Sequence, residues 1–502
     1  MRFDEVITGI LTMRRAGPNP EITGIEYDSR RVREGSLFVA MQGETTDGNQ
    51  YIGKAIEQGA QAILTDSAPA FDEIIRQHPD FAAGQIGHGR NALALAAANF
   101  FAHPERQLKL TGITGTNGKT TTAFLLDAIL NHAARKTVLI GTIEYHVAGS
   151  VRPSPHTTPE SRDLLALLRE GADAGAAEAV MEVSSHALAQ GRVYGLPYDV
   201  AIFTNLTRDH LDFHHTMENY FSAKKKLFDG SLSYPPRTAV INLDDPSGTE
   251  LITTALEAGA QILSYGLRAG EFHANDLKMK AAGMSFTLQS PAGPAEIQTR
   301  LTGKVNVYNL LAASAAAYAR GLSLEEIQAG VASLACVPGR FQTVDEGQPF
   351  TVVVDYAHTD DALRNLTALA REFVTATGGR VITLFGCGGD RDKTKRPLMG
   401  RAAGEGSDFV VLTSDNPRSE DPESIIRDAL PGLESTQTSY VVEADRARAI
   451  QLALHEAKPG DIILLAGKGH EKTQTIQGKS IPFDDAALAS QYLSELQKGT
   501  PA

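Results

Sequence analysis

The chain of 502 residues is too long for a single hydrophobic core and predicts about three domains of ordinary size. Its composition, 42% apolar and 21% charged residues, excludes extensive disorder. The net charge of −13 argues against a general nucleic-acid binder, and the sequence lacks the run of about 20 apolar residues that spans a membrane.

Two cysteines and the first residues bear on the cellular compartment. Cys336 and Cys387 lie far apart in the sequence and lack metal-ligand spacing, so a reducing compartment is the simpler interpretation. The first residues lack the basic start, apolar core and cleavage site of a secretory signal. We therefore expect a cytoplasmic protein.

Residues 1–105 predict a small α/β domain. A strand is expected over 36–40, a helix over 51–59 and a second strand over 62–64. Short apolar runs alternate here with helical patterns, as in other small mixed domains.

Residues 106–336 predict a central domain of the P-loop type, with a mostly parallel sheet and helices on both faces. Strands are expected over 108–113, 137–140, 179–183, 200–203, 238–242 and 261–265, and helices over 119–133 and 306–319. Regular alternation of apolar strands with helices is typical of parallel sheets.

Residues 337–502 predict a third α/β domain, which is Rossmann-like. A turn at 337–340 marks its start. Strands are expected over 351–354, 381–385, 409–413, 440–442 and 462–465, with helices between them.

A glycine-rich segment between the first central strand and its helix predicts a site for nucleotide phosphates. It consists of Gly115, Thr116, Asn117, Gly118, Lys119, Thr120 and Thr121. Backbone amides and a helix N-terminus attract phosphate, Lys119 adds positive charge, and the Thr120 hydroxyl can ligate Mg²⁺. Five residues, one more than in the common motif, separate Gly112 from Gly118, and the alternative is a chance glycine turn.

Three polar residues extend this site. Glu182 ends a central strand, where open sheets bind ligands, and its carboxylate suits Mg²⁺; the alternative is a helix start capped by Ser184 or Ser185. His210 also follows a central strand, although a lone histidine is more often structural. Lys224 opens a run of three lysines, which by itself indicates a solvated basic face.

Together the motifs resemble the Mur ligases, the amide-forming enzymes of peptidoglycan precursor synthesis. They lie at 28–30, 115–122, 157–159, 182–186, 209–212, 220–224, 306–309, 355–358, 415–418 and 467–471. The resemblance covers nearly the full length. It is strongest to members that add meso-diaminopimelate to UDP-N-acetylmuramoyl-L-alanyl-D-glutamate.

The resemblance implies ATP as co-substrate, Mg²⁺, and a carbamate derived from CO₂ on Lys224, the lysine of a Tyr-Phe-Ser-Ala-Lys motif. The carbamate and His210 would hold a second Mg²⁺, and Thr120 and Glu182 would serve the metal near the phosphates. With Lys119, these ions would offset the repulsion between substrate carboxylate and γ-phosphate as an acyl phosphate forms.

The resemblance also distributes the substrates over the chain. It assigns the UDP-muramoyl dipeptide to Ser29, Thr157, Thr158, Ser184, Gln190 and Arg192. It adds Asn306, Asn309, Arg340 and His358 to the ATP site. It assigns meso-diaminopimelate to Arg391, Asp415, Asn416, Pro417, Arg418, Gly467 and Glu471. Arg418 would pair with the distal carboxylate that L-lysine lacks, and Glu471 would hold the distal ammonium.

Without the resemblance, Arg192 is a surface arginine and residues 415–418 are a turn. Rival functions are the same ligation with L-lysine, another ligase on this scaffold such as a folylpolyglutamate synthase or the D-Ala-D-Ala-adding Mur ligase, and a non-catalytic nucleotide-binding module. Segments 28–30 and 415–418 disfavour the other ligases. The binding module is disfavoured because the chain has all four catalytic candidates, Lys119, Glu182, His210 and Lys224. We expect a monomer with mobile domains and neither nucleic-acid nor membrane partners.

Overall fold

Short apolar runs bounded by turn residues form the buried strands of three successive sheets. The computed structural model describes residues 1–43, 46–280 and 283–499. The three main sheets have five, eight and six strands. The three-domain α/β fold with a mostly parallel central sheet, predicted from the sequence, is confirmed.

The first sheet is small and nearly parallel. Its strands are β1 (Thr12–Ala16), β2 (Gly24–Glu26), β3 (Ser36–Ala40), β4 (Ala62–Thr65) and β5 (Ala82–Ile86). Its helices are α1 (Phe3–Val6), α2 (Ile52–Glu57), α3 (Ala68–Gln77) and α4 (Gly89–Phe100). The order is β1-β5-β4-β3-β2, with β1 antiparallel. Successive residues of β3 enter different cores, Leu37 with α1 and α4, and Phe38 with α2 and α3.

The central sheet positions the site. Its strands are β6 (Lys109–Thr114), β7 (Thr137–Ile140), β8 (Glu144–Val147), β9 (Ser150–Pro153), β10 (Glu178–Glu182), β11 (Tyr198–Phe203), β12 (Thr238–Asn242) and β13 (Gln261–Tyr265). The order is β13-β12-β11-β6-β10-β7-β8-β9, and the pairings are parallel except for those of β8 with β7 and with β9. Strand β6 therefore lies between β10 and β11, with its carboxyl end beside theirs.

Helices cover both faces of the central sheet. They are α5 (Lys119–His132), α6 (Ser161–Asp173), α7 (Ser185–Gln190), α8 (Leu211–His214), α9 (Met217–Lys225), α10 (Gly248–Glu257), α11 (Lys304–Ala319) and α12 (Leu324–Ser333). Helix α11 is buried around its circumference, as its alanine-rich sequence suggests, because α5, the sheet and a further small sheet surround it.

That small sheet is antiparallel and was missed by the sequence analysis. Its strands are β14 (His273–Lys280), β15 (Gly283–Ser290) and β16 (Gly293–Thr299). Alternate residues of β15, Met284, Phe286 and Leu288, enter the same core as α11 and α12. The outer strand β14 is largely solvent-facing, so its apolar signal is weak.

The last sheet has the order β17-β18-β22-β19-β20-β21, and only β17 is antiparallel. Its strands are β17 (Gln342–Val344), β18 (Thr351–Asp355), β19 (Val381–Cys387), β20 (Phe409–Ser414), β21 (Ser439–Val442) and β22 (Ile462–Ala466). A hairpin of β23 (Thr473–Ile476) and β24 (Lys479–Pro482) follows. The helices are α13 (Asp360–Thr377), α14 (Arg396–Gly406), α15 (Pro422–Glu434), α16 (Arg446–Glu456) and α17 (Asp485–Gly499).

Within the described ranges, no helix has both the length and the apolar character needed to cross a membrane.

A fully buried ion pair joins two helix starts to the ends of two strands. Arg446 and Asp485 have no exposed side-chain surface and lie 2.6 Å apart. Arg446 also donates to the carbonyl oxygens of Ser414 and Ala466, at 3.3 and 2.9 Å. These residues end β20 and β22, which flank β19, so one guanidinium spans three strands.

We expect Arg446→Met to lower the free energy of unfolding by about 3–5 kcal/mol, because it leaves the Asp485 carboxylate buried without a partner. Urea titration measures this change. The control Arg448→Met, at an exposed position of the same helix, is expected to stay within about 0.5 kcal/mol of the parent. Equal stability of the two variants would contradict the prediction.

Candidate functional site

Three loops meet where the parallel strands β6, β10 and β11 end. The glycine-rich loop follows β6, Glu182 closes β10, and residues 204–212 follow β11. Ligands of open α/β sheets bind at the carboxyl ends of strands. The sheet order therefore brings together residues that are as much as 95 positions apart in the sequence, between Gly115 and His210.

The glycine-rich loop holds a conformation that needs glycine at two positions. Gly115 and Gly118 have φ angles of +149° and +88°. A Cβ atom on Gly115 would lie 1.8 Å from Oγ1 of Thr204, and one on Gly118 would lie 2.4 Å from Oδ1 of Asn309. The loop is thus packed from both sides, and its amides stay close to the start of α5.

Asn306 and Asn309, predicted for the ATP site, lie on α11 behind the loop. Both side chains are buried, and Nδ2 of Asn309 donates to Oδ1 of Asn306 at 3.0 Å. Oδ1 of Asn309 accepts from the Thr122 hydroxyl at 3.3 Å. The two residues therefore pack α11 against the glycine-rich loop and stabilise its conformation.

Two lysine side chains converge on the loop. Lys119 donates to the carbonyl oxygens of Gly115 and Thr116, at 3.0 and 2.8 Å. Lys224 donates to the same oxygen of Gly115 at 2.8 Å. Burial lowers the pKa of Lys119, and burial together with the charge of Lys119 lowers the pKa of Lys224 well below its usual value. An anion bound here would relieve the repulsion between them.

The burial of Lys224 overturns one interpretation from the sequence. Its side chain is 1% exposed and its Nζ lies 4.2 Å from the centre of the Tyr220 ring. The interpretation of this lysine as part of a solvated basic face is wrong. Its neighbour Lys225 instead pairs with Glu250 at the surface, at 3.0 Å.

Glu182 forms an oxygen-rich cluster beside the loop. Its carboxylate accepts hydrogen bonds from the Thr120 hydroxyl at 3.0 Å, the Thr142 amide at 2.8 Å and the Thr142 hydroxyl at 3.0 Å. The capping role considered for this segment belongs to Ser184, whose hydroxyl accepts from the Ala187 amide at 3.2 Å. The Glu182 carboxylate is thus directed at the loop.

His210 stands at the start of α8 with a φ of +54°. Its ring lies 4.8 Å from that of His186 and 6.1 Å from that of Tyr220, between centroids. Burial lowers the pKa of His210 to about 3. The imidazole is therefore neutral at physiological pH, which is the form that ligates metals.

Asp209, beside His210, joins the central site to the last sheet. Its carboxylate lies 3.8 Å from Nε2 of His358 and 3.8 Å from Nζ of Lys395. Burial by itself would raise its pKa, but the electrostatic interactions with His210, His358 and Lys395 hold the pKa of Asp209 below its usual value. His358, predicted for the ATP site, is therefore linked to the central site by its contact with Asp209.

Two further contacts bring the last part of the chain onto the loop. Nη2 of Arg340 donates to the Thr120 hydroxyl at 3.2 Å, and its guanidinium lies over the Tyr356 ring at 4.6 Å. Nδ2 of Asn117 donates to Oδ2 of Asp361 at 2.9 Å. Arg340 therefore adds a third positive charge near the phosphate loop.

Thr157, Thr158, Ser184 and Arg192 gather next to Glu182. The Thr157 hydroxyl lies 3.1 Å from that of Thr142, and the Thr158 hydroxyl donates to the Glu182 carbonyl oxygen at 2.9 Å. The Ser184 amide donates to the Thr158 hydroxyl at 3.0 Å. Arg192 donates to the Thr158 carbonyl oxygen at 2.9 Å and lies 3.1 Å from Glu160, so it is not a free surface arginine.

Gln190 and Ser29 are the other residues predicted to contact the UDP-muramoyl dipeptide. Gln190 ends α7. Ser29 opens a short 3₁₀ turn, Ser29–Arg31, beside the first sheet and is buried. Among the described residues, no hydrogen bond or ion pair joins the Ser29 side chain to the central site. Nearby, Tyr27 donates to Asp163 of α6 at 2.7 Å, which fixes the turn against the central part of the chain.

The residues predicted for the amino acid meet where β19, β20 and β22 end. Nδ2 of Asn416 donates to Oε2 of Glu471 at 2.7 Å. Gly467 has a φ of +114°, and a Cβ there would lie 2.5 Å from Oδ2 of Asp415. Residues 415–418 are therefore part of a packed site as well as a turn.

Arg418 and Arg391 place two guanidinium groups at one end of this site. Nη1 of Arg418 donates to the Gly389 carbonyl oxygen at 2.7 Å. Burial and the nearby charge of Arg391 lower the pKa of Arg418. Pro417 precedes Arg418 and packs against Gly389. Two like charges held together favour an anionic ligand such as a carboxylate.

The sequence analysis missed Lys468, Asp361 and Arg446. Lys468 is fully buried beneath Asn416 and Glu471. Lys468 lies within the motif at 467–471, so the sequence contained a signal for it. Asp361 and Arg446 stand in the first turns of α13 and α16, and no motif marks them.

Within the described ranges, no group of three or more His, Cys, Asp or Glu side chains is arranged to hold a metal ion. Mg²⁺ usually needs only one or two protein oxygens, together with substrate phosphates and water. Thr120 and Glu182 supply such oxygens next to the loop. The donor set therefore fits Mg²⁺ bound with a nucleotide.

Three family matches cover most of the chain. Residues 21–117 match the Mur ligase family, catalytic domain, residues 113–317 the Mur ligase middle domain, and residues 339–469 the Mur ligase, glutamate ligase domain.

Several similar proteins carry the same name. The chain is 52% identical over 500 residues to a UDP-N-acetylmuramoyl-L-alanyl-D-glutamate–2,6-diaminopimelate ligase of Solibacter usitatus, covering 98% of each chain. It is 45% identical over 485 residues to the protein of that name from Geobacillus kaustophilus, covering 95% and 96%. A solved structure of that name aligns over all of both chains with a TM-score of 0.69 and 33% identity. MurF from Acinetobacter baumannii, at 20% identity and a TM-score of 0.64, covers 96% of this chain and 94% of its own and shares the fold.

We expect Gly115→Ala to weaken binding of an ATP analogue by at least about tenfold, or about 1.4 kcal/mol, because the new methyl group collides with Thr204. Titration calorimetry measures the affinity. In the control Gly175→Ala, the glycine has a φ of +79° and open space around it, so only a small loss of stability is expected. Unchanged affinity in Gly115→Ala would show that the loop does not hold the nucleotide.

Proposed function

This chain belongs to the Mur ligase family, and from that premise we propose that it is an ATP-dependent ligase. It joins an amino group of meso-diaminopimelate to the D-glutamate carboxylate of UDP-N-acetylmuramoyl-L-alanyl-D-glutamate, as the names of its relatives state for those proteins. The observation that carries the choice of amino acid is the meeting of Arg391 and Arg418 with Asn416 and Glu471.

Charge complementarity supports this amino acid. meso-Diaminopimelate has a carboxylate and an ammonium at each end. The guanidinium groups of Arg391 and Arg418 match the distal carboxylate, and the Glu471 carboxylate matches the distal ammonium. L-lysine offers no second carboxylate, so the neighbouring positive charges of Arg391 and Arg418 would be left without an anion.

The first chemical step is the attack of the D-glutamate carboxylate on the γ-phosphate of ATP. Both groups are anions, and Lys119, the loop amides and Arg340 offset their repulsion. Thr120 and Glu182 would hold Mg²⁺, which withdraws negative charge from the phosphates when bound. The P–O bond to ADP breaks and an acyl phosphate forms.

In the second step, the neutral amine attacks the acyl carbon and phosphate leaves. The amine loses one proton as the amide forms, so a proton acceptor must stand near it. The contacts of Asp209 with His358 and Lys395, and of Asn117 with Asp361, bring the amino-acid end of the protein onto the loop. The acyl phosphate and the amine then meet away from bulk water.

Each of the three parts of the chain takes one substrate in this proposal. Residues 1–105 bind the uridine end of the UDP-substrate, residues 106–336 bind ATP, and residues 337–502 bind the amino acid. Thr157, Thr158, Ser184, Gln190 and Arg192 contact the muramoyl dipeptide beside Glu182. The protein works as a cytoplasmic monomer in cell-wall precursor synthesis.

We also propose that Lys224 reacts with CO₂ to give a carbamate. A neutral amine forms the N–C bond and loses a proton, and burial favours the neutral form of Lys224. Its position against Gly115 would place the new carboxylate beside the loop, with His210 nearby as a neutral nitrogen ligand. These groups would hold a second Mg²⁺.

The proposed function is tested with ATP, Mg²⁺, the UDP-muramoyl dipeptide and either meso-diaminopimelate or L-lysine. We expect phosphate release and a UDP-tripeptide with meso-diaminopimelate, and a kcat/KM at least about tenfold lower with L-lysine, because one charged pairing is missing. Arg418→Met is expected to remove the preference, whereas the exposed control Arg427→Met keeps it. Equal use of lysine by the parent refutes the selectivity, and no product with either amino acid refutes the function.

Lys224→Ala is expected to lower kcat by about a hundredfold or more, because it removes a charge-stabilising group from the site. If the lysine acts as a carbamate, acetate or propionate in the assay restores part of the activity by supplying a carboxylate. The control Lys225→Ala, whose lysine pairs with Glu250 at the surface, should keep the parent rate. A Lys224→Ala enzyme with normal activity, or one that no carboxylate rescues, contradicts the carbamate.

A further inference from the structure

A single buried ammonium group underlies the proposed amino-acid site. Lys468 has no exposed side-chain surface. It follows β22 between Gly467 and Gly469, which have φ angles of +114° and +52°. A Cβ on Gly469 would lie 2.7 Å from Cβ of Tyr356, so the segment packs tightly and directs Lys468 inward.

Among the residues that the structure describes, the ammonium of Lys468 donates only to groups of that site. Its Nζ donates to Oε2 of Glu471 at 2.9 Å and to Oδ1 of Asn416 at 3.2 Å. Nδ2 of Asn416 donates to the same Oε2 of Glu471 at 2.7 Å. The three side chains form a closed triangle in which each contacts the other two.

This triangle fixes the orientation of the Asn416 amide. Its oxygen accepts from Lys468 and from the Thr475 amide at 3.0 Å, and its nitrogen donates to Glu471. A flipped amide would set its nitrogen against two donors and its oxygen against a carboxylate. The same contacts occupy Oε2 of Glu471, and among the described residues no hydrogen bond is made to its Oε1.

Burying an ammonium is costly unless it is paired, so Lys468 serves the groups it pairs with. Its lack of exposed surface excludes direct contact with a substrate. Its hydrogen bonds hold the Glu471 carboxylate and the Asn416 amide in place for a cationic ligand. The alternative is a lysine that only stabilises the fold.

We propose that Lys468 is a positioning residue for the amino-acid substrate: it holds the Glu471 carboxylate and the Asn416 amide in the orientation that receives the ammonium of meso-diaminopimelate. The inference rests on the proposed function and deepens it. Lys468 acts on amino-acid affinity through Glu471 and leaves the binding of ATP and of the UDP-substrate unaffected, because its ammonium donates to Asn416 and Glu471, which are assigned to the amino acid.

The test compares steady-state kinetics of the full-length parent enzyme and Lys468→Met. Methionine keeps an unbranched apolar chain and removes the charge. We expect the KM for meso-diaminopimelate to rise by about tenfold or more, as for loss of hydrogen bonds to charged groups, with the KM values for ATP and the UDP-substrate near those of the parent. The control Lys472→Met removes an exposed lysine that pairs with Asp484 and should change none of the three.

A double-mutant cycle separates positioning from fold stability. If Lys468 acts through Glu471, Lys468→Met adds little further loss in a Glu471→Gln background. Additive losses, or equal rises in all three KM values, overturn the proposal. If Lys468→Met does not fold, Lys468→Gln replaces it, with a smaller rise expected for meso-diaminopimelate alone; an unchanged KM there also overturns it. An inactive parent enzyme would instead refute the proposed function.

Discussion

Two lysine side chains donate to one carbonyl oxygen, and the arrangement of the site depends on that contact. Lys119 and Lys224 both donate to the carbonyl oxygen of Gly115, although one belongs to the phosphate loop and the other lies 105 residues later. Burial disfavours the charged form of both lysines and lowers their pKa values, and the charge of Lys119 lowers the pKa of Lys224 further. Two buried basic side chains this close together are stable only when negatively charged groups lie nearby. Glu182 and Asp209 supply part of the negative charge, and phosphate groups would supply the remainder.

The need for compensating charge explains how the parts of the chain close on one another. Asp209 lies beside the loop but faces His358 and Lys395 from the last sheet, and Arg340 reaches back to Thr120. These contacts are few and partly exposed, unlike the apolar cores of the sheets. They are therefore contacts that can break and re-form as substrates enter and leave. The proposed chemistry needs this, since an acyl phosphate must be kept from water while the amine is admitted.

The proposed amino-acid site also depends on buried basic side chains. Arg446 and Lys468 are cations without exposed surface, and both hold the loops that follow β20 and β22. Buried ion pairs contribute little net stability compared with apolar residues of similar size. Here they orient neighbouring groups. Arg446 fixes the distance between the ends of β20 and β22, and Lys468 fixes the direction of the Asn416 and Glu471 side chains that follow those strands. The ligand-facing groups are thereby fixed before any substrate arrives.

The sequence by itself determined most strands of the three main sheets and the position of the glycine-rich loop, since local periodicity reports which residues of a segment are buried. The bounds 36–40, 137–140, 238–242 and 261–265 agree with the structure. The β14–β16 sheet was missed because β14 is largely exposed. Only the tertiary structure decided that Lys224 is buried and that Lys468 and Arg446 lie buried beneath the loops that follow β20 and β22. The reason is physical: which strand ends are neighbours depends on sheet order, a long-range property, and the surroundings of a charged side chain are set there rather than by its neighbours in sequence.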